Sequence, residues 1–493
     1  MALKFYNSLT RNKEDFVPVE EGKAKVYVCG PTVYGHAHLG HAKSYISFDV
    51  IVRYLRYLGY DTTYIQNITD VGHLTDDADE GEDKLAVAAK KIHKHPMAIA
   101  EFYTASFFND MDKLNCLRPD ISPRATGHIP EQIKMVEALI EKGNAYEVNG
   151  SVYFDVTSFE GYGKLSGRNL DDMKSGTRVD VKSEKRNPSD FALWKKAEPN
   201  HIMQWDSPWG KGYPGWHLEC SVMSMKYLGE TIDIHGGGLE NKFPHHECEI
   251  AQSEAANGKQ FVKYWLHNNM VTVDGTKMGK SLNNFINLKQ VFTGDHERLS
   301  RKYDPIAVRM LVLNSHYRSP LDFSDAALTA AQSGLDKITE AVKNIRKTIE
   351  SAADGTVDEK ITKQLESLKF RFEKAMNDDI NTSVALSMIY EMVKLANKVL
   401  ASPNKTKQTL EAINDMFNRL GGDALGIVLE SYPETASAAD DELIDYLMQG
   451  IIEQRTKARA DKDWAKADEI RDTMAKFGIT FKDTPEGTKW VKA

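Results

Sequence analysis

Cysteine is scarce in this chain: four residues in 493, at Cys29, Cys116, Cys220 and Cys248, with no CxxC pair among them. So sparse a set excludes a disulfide-stapled secreted scaffold and points to a reducing compartment. Long apolar runs are missing too. No stretch approaches the roughly 18 uninterrupted apolar residues that a spanning helix needs, and the opening MALKFYNSLTRNKEDF lacks the apolar core of a signal peptide. A cytoplasmic protein without membrane contact is expected. Positive charge is not in excess: 63 Lys and Arg face 71 Asp and Glu, a net charge of −8. Bulk charge therefore excludes a general nucleic-acid binder and leaves room only for a local basic face. There is no internal repeat, no low-complexity segment and no GxxxxGK[ST] phosphate loop. What is there is an ordinary globular composition, 41% hydrophobic and 27% charged, over a length that suits about three domains.

The first stretch reads as strand, turn, helix, strand. Lys25 to Cys29 is a short β-rich run broken by Gly30-Pro31. After GHAHLGHA, the residues Tyr45, Phe48, Val52, Leu55 and Leu58 recur at helical spacing up to a stop at Gly59, and Thr62 to Ile68 reads as a second strand. Two strands joined by a crossover helix predict a parallel sheet. Its ligands would sit beyond the strands' carboxyl ends, beside Cys29 and Asn67-Ile68-Thr69-Asp70. A different texture follows: a helix to Lys142, the hairpin AYEV-NG-SVYF, and a loop-rich run to Trp209. From Leu328 apolar residues keep to single helical faces, which predicts an antiparallel bundle. Ala436–Asp441 then reads as a linker, before one charged helix from Glu453 to Phe477 and a terminal hairpin.

Three groups of residues carry chemical potential. His36, His38 and His41 stand at the mouth of the first helix, where free backbone N–H groups suit a phosphate and imidazoles can donate to phosphoryl oxygens. A surface loop with scattered histidines fits the same residues. In DGTKMGKS, Lys277 and Lys280 lie three apart in a Gly-containing loop, able to clamp a triphosphate or simply to stay solvated. Pro244-His245-His246-Glu247-Cys248-Glu249 opens a helix on which His245 and Glu249, four apart, share a face. Imidazole, carboxylate and thiolate are all zinc ligands, with Cys220 and Cys29 available to complete four. The crowding of His246, Glu247 and Cys248 leaves other ligand choices open, as well as a polar cluster with no metal.

In this order and spacing, these pieces resemble the bacterial cysteinyl-tRNA synthetases, of class I. His38-Leu39-Gly40-His41 looks like the family's HIGH signature and Lys277-Met278-Gly279-Lys280-Ser281 like KMSKS, while VYVCGPTVY, NITD, GWHLECS, DIHGGG and FPHHECEIAQ resemble its other motifs. The match runs from Phe5 to Trp490. It implies one zinc per chain held by Cys29, Cys220, His245 and Glu249, with His246 and Cys248 outside the ligand set. It also implies that Gly30, Thr69, Trp216 and His235 line the cysteine pocket, that His38 and His41 contact ATP phosphates, and that Lys280 holds ATP. The implied fold is α/β: a Rossmann-type parallel-sheet catalytic domain with an inserted subdomain, followed by an α-helical bundle and a small C-terminal anticodon-binding domain. The boundaries expected are 1–120 and 211–270 for the split catalytic domain, 121–210 for the insertion, 271–325 for a stem-contact region with the lysine loop, 326–430 for the bundle and 431–493 for the C-terminal domain. Gly279 departs from the family pattern by removing a serine hydroxyl from the loop, and Cys248 stands where many relatives carry a non-ligand such as Asn.

The resemblance implies ATP-dependent activation of L-cysteine, with Mg²⁺ assisting, and transfer of the cysteinyl group to tRNA(Cys); a monomer is expected. A pocket that relies on shape rejects a near-isostere such as serine by only about 10²-fold, whereas zinc is thiophilic and lowers a thiol's pKa. For tRNA, residues from Ile451 onward carry ten Lys and Arg against eight Asp and Glu. There Arg459 and Trp464 pair a cation with an aromatic suited to unstacked bases. Two other readings remain: a ligase joining cysteine to an amino sugar, and a catalytically dead zinc-and-RNA-binding paralogue.

Overall fold

Four parallel strands carry the site. In the computed structural model, which describes residues 2–75, 81–169, 184–199, 201–279, 282–432, 438–477, 479–484 and 487–492, they lie in the order Val262–Asn268, Ile232–Gly238, Lys23–Val28 and Asp61–Gln66. Their residues are almost all buried, as expected of a parallel sheet covered by helices. Cys29 and Asn67 follow directly on the carboxyl ends of the two N-terminal strands, as the sequence predicts. The helix Leu39–Tyr57 crosses between them with Tyr45, Phe48, Val52 and Leu55 buried, and the chain leaves it at Gly59, whose φ of 90° suits glycine.

A second sheet, antiparallel, is made of Ala145–Val148, Ser151–Phe154, Phe191–Lys196 and Gly212–Pro214, so it runs past the boundary expected at 210. Its first turn is the expected Asn-Gly hairpin: Asn149 and Gly150 both have positive φ, 55° and 85°, as a type I′ turn demands. The last strand leads through Gly215 into the helix Trp216–Leu228. A helical region follows, Asp325–Ile349, Glu359–Met376, Thr382–Leu400 and Lys407–Met416, with the anticipated apolar faces buried.

Contacts divide the chain into two units, Met1–Glu430 and Ser431–Ala493. In the second unit the sequence reading needs correcting twice. Helix begins at Ala438, inside the expected linker, and the single charged helix is two, Ala438–Ala460 and Trp464–Lys476. The break is local chemistry: Lys462 adopts φ 60° and the Asp463 side chain caps the second helix by accepting from Lys466 N–H. The terminal hairpin, Ile479–Thr484 with Gly487–Lys492, is present.

One buried ion pair ties the first helix to the helix Pro305–Leu313. Arg309, fully buried, donates to Asp49 and to the carbonyls of Leu114, Asn115 and Leu425. Burial alone would push the Asp49 carboxyl up, but Arg309 and Arg53 outweigh it and hold the carboxyl below its usual range. Removing one partner of such a pair costs about 3–5 kcal/mol. Arg309→Leu is therefore expected to lower the urea midpoint strongly, and Asp49→Asn in the same chain should restore part of the loss. Additive losses in equilibrium unfolding would refute the coupling.

Candidate active site

A cavity of about 580 Å³ opens beyond the sheet's carboxyl ends, lined at its floor by Cys29, Cys220 and His245. Three elements converge there. Cys29 comes from the end of a strand, Cys220 from the first turns of the helix Trp216–Leu228, and His245 and Glu249 from one face of the helix His245–Asn257. One donor atom from each of Cys29, Cys220, His245 and Glu249 lies within 4.8 Å of all the others, and all four residues are buried. A second set, Cys29, His235, His246 and Glu249, meets the same criterion.

Hydrogen bonds separate the two sets. His235 Nε2 bonds Glu249 Oε2 at 2.8 Å, and His246 is engaged through both ring nitrogens. Glu249 Oε1, by contrast, is buried without a hydrogen-bond partner among the described residues, 3.2 Å from His245 Nε2. His245 Nδ1 is turned to His217 Nδ1 at 2.9 Å, which leaves Nε2 facing the cluster. Two sulfurs, an imidazole nitrogen and a carboxylate oxygen are a tetrahedral zinc donor set. The first set fits a zinc ion. Burial pushes the Cys29 thiol up to about 11 and the Cys220 thiol well above its ordinary value, so a cation is what would make these sulfurs thiolates.

Behind the cluster runs a row of groups that sequence reasoning missed. Cys29 Sγ lies 3.2 Å from His246 Nε2, His246 Nδ1 lies 2.8 Å from His267 Nε2, and His267 Nδ1 lies 2.8 Å from Ser8 Oγ. Burial holds His246 well below the usual imidazole range and His267 down to about 3, so both rings are neutral. Each then has one donor and one acceptor, and the row has a single sense. With Cys29 as thiolate, every N–H points toward the sulfur, starting from the Ser8 hydroxyl. Only the adjacency of His245 and His246 hinted at this; Ser8 and His267 carried no signal.

The opposite end of the cavity carries His38 and His41, and its geometry corrects the expectation of free helix N–H groups. Gly40 N–H donates to His38 Nδ1 at 3.1 Å and His38 N–H to His41 Nδ1 at 3.2 Å, a reciprocal cap, while Leu39 N–H donates to the Ile286 carbonyl. Burial, with the His38 charge beside it, holds His41 well below its ordinary pKa. A neutral ring whose Nδ1 accepts carries its proton on Nε2, so His41 presents an N–H donor. His38 and His41 stack with centroids 3.9 Å apart. Gly40 is required here, since a Cβ would fall 2.9 Å from the His38 ring.

The lysine loop is fastened to the same place. Leu288 N–H donates to the Ala37 carbonyl, and Asn284 holds the loop base through Gly279 N–H and the Lys277 carbonyl. Lys277 is exposed at the end of a short strand; Lys280 lies outside the described residues. The remaining candidates fall as follows. Gly30, Thr69 and Trp216 line the cavity, the Trp216 ring stacked between His73 and His245 at 3.9 and 4.2 Å. His235 lies beneath Glu249 rather than in the cavity wall. Cys248 packs in a separate apolar cluster, 3.5 Å from the Tyr162 hydroxyl, away from the other sulfurs. Cys116 is buried beside Arg309. Arg459 is exposed, and Trp464, 58% exposed, is no core residue of its unit.

The fold is that of the class I aminoacyl-tRNA synthetases. Methionyl-tRNA synthetase of Mycobacterium tuberculosis superposes with a TM-score of 0.59 over 85% of this chain and 96% of its own, at 14% identity. LeuRS of Agrobacterium radiobacter gives 0.57 over 84% and 85%, also at 14% identity. Sequence narrows the class. Residues 15–333 match the model of the tRNA synthetases class I (C) catalytic domain, 371–430 that of the DALR domain and 448–490 that of the cysteinyl-tRNA ligase anticodon binding domain. Cysteine–tRNA ligase of Chlorobaculum tepidum is 56% identical over all of this chain and 99% of its own length; those of Deinococcus radiodurans and Bacteroides fragilis are 50% and 49% identical over 99% of this chain and 97% and 98% of theirs. The chain belongs to the cysteine–tRNA ligase family.

Proposed function

We propose that the protein activates L-cysteine with ATP to cysteinyl-adenylate and transfers the cysteinyl group to tRNA(Cys), selecting its substrate by the thiolate. The observation that carries this reading is the pairing, in one cavity, of the four-donor cluster at the floor with the stacked imidazoles at the mouth. When bound, zinc supplies a thiophilic Lewis acid that favours a substrate thiolate over serine's hydroxyl. Cys29, Cys220, His245 and Glu249 would hold it, and His246 would donate to the Cys29 sulfur from outside the ligand set.

The substrate, held through its side chain and against Gly30, Thr69 and Trp216, directs its carboxylate to the α-phosphate of ATP. Pyrophosphate leaves as the acyl–phosphate bond forms. His38 and His41 donate to the phosphoryl oxygens as charge develops, and Lys277 with Lys280 follows the departing pyrophosphate, with Mg²⁺ accompanying ATP. The 2′-hydroxyl of the terminal adenosine of tRNA then attacks the acyl carbon and AMP leaves. No protein nucleophile is required, and a cytoplasmic monomer suffices. Support for tRNA over an amino sugar comes from the matched anticodon-binding domain.

Cysteine-dependent ATP–pyrophosphate exchange, with and without tRNA and before and after zinc removal, tests the whole reading. Exchange that persists undiminished in the metal-free protein would overturn the role of zinc. At the anticodon, Trp464→Ala should lower charging of full-length tRNA about tenfold or more, stacking being worth roughly 1–3 kcal/mol per base, while an anticodon-free minihelix is charged as before. Equal losses on both substrates would remove Trp464 from that role.

A further inference from the structure

Glu219 lines the cavity and has no part in the chemistry described so far. It is 1% exposed, in the first turn of the helix Trp216–Leu228, one residue before Cys220. Its Oε1 accepts from the Thr69 hydroxyl and, at 3.4 Å, from the Asn67 amide. Its Oε2 is buried with no hydrogen-bond partner among the described residues. Leaving such an atom unmade costs about 1–3 kcal/mol, so it calls for a partner that the described residues do not supply.

A donor that comes with a ligand would be such a partner. No Lys or Arg stands among the described lining residues that would neutralise a carboxylate here. Asn67 links Glu219 to the floor, since its Oδ1 accepts Gly30 N–H at 2.7 Å, and Gly30 follows Cys29. The carboxyl is thus next in sequence to one sulfur donor and joined through Asn67 to the residue after the other, a placement that suits a cationic group three bonds from a bound thiol. In cysteine that group is the α-ammonium.

We propose that Glu219 is the counter-charge for the substrate's α-ammonium, so that the pocket selects a thiol and an amine together. This rests on cysteine being the substrate. Thr69 and Asn67 then act as positioning residues, fixing the carboxyl plane through Oε1 and leaving Oε2 for the ligand.

Two small thiols separate the groups: cysteamine carries the amine without the carboxylate, and 3-mercaptopropionate the carboxylate without the amine. Each is titrated as an inhibitor of pyrophosphate exchange by the zinc-loaded full-length protein and by Glu219→Gln, whose zinc content is measured alongside. The variant is expected to keep one zinc per chain and its kcat, with the KM for cysteine and the Ki for cysteamine raised about 10- to 100-fold. The Ki for 3-mercaptopropionate should stay within about twofold. Equal weakening of both thiols, an unchanged KM, or loss of zinc would each overturn the assignment, the last making Glu219 a support of the metal site. Absence of cysteine-dependent exchange in the unmutated protein would defeat the substrate reading itself, and shows before any variant is made.

Discussion

Cys220→Ser is expected to lose zinc and cysteine activation in one step. The serine oxygen is a hard donor on a hydroxyl that does not ionise near neutral pH, so three donors remain where four converge. Metal analysis should fall from one zinc per chain to near zero. The value of kcat/KM for cysteine in pyrophosphate exchange should drop by about 10³-fold or more, because the other buried polar groups of the site lose their partner. Stability should change far less. The main unit has an extensive apolar core of its own, so the metal is not needed to hold the fold. Cys248→Ser is the control: its sulfur packs by Tyr162 in another cluster, and both zinc and activity should survive. Full activity without metal in Cys220→Ser would sink the idea of thiolate selection.

His41→Ala is expected to act on the rate and spare cysteine binding. The ring's Nδ1 is taken by His38 N–H, so what the cavity loses is the Nε2 donor. Removing one preorganised donor of this kind lowers kcat by about 10²- to 10³-fold. Because burial keeps His41 neutral, its donor is unchanged between about pH 6 and 8, and no acid limb in that range should come from this residue. Part of the helix cap is lost as well, at a cost of about 1 kcal/mol. A KM for cysteine that rises as steeply as kcat falls would place His41 in substrate binding instead.

Much of the site could be read along the chain. Local patterns predict the parallel strands, the first helix with its stop at Gly59, the Asn-Gly hairpin and the amphipathic helices, each set by neighbours a few residues away. The pairing of His245 with Glu249 is equally local, four residues on one helix. Other features were not legible. The helix break at Asp463 turns on one side chain capping a backbone N–H, inside a run whose composition favours helix throughout. The row from Cys29 through His246 and His267 to Ser8 joins residues 259 apart at its last link, and each member looks ordinary in isolation.

The sequence by itself determined the fold class, the family and the residue types available to the site, because periodicity, turn chemistry and ordered motifs are local properties. Tertiary structure alone decided which donors meet. Cys29 and Cys220 come from separate elements that the sheet brings together, and Glu249 Oε1 stands unpartnered among the described residues while His235 takes the other oxygen. Cys248, beside His246 in sequence, is turned into a different core by its place on the helix. The four scarce cysteines are alike in the chain; packing and hydrogen bonding give two of them a donor cluster that fits a zinc ion, one an apolar cluster and one a seat beside a buried arginine.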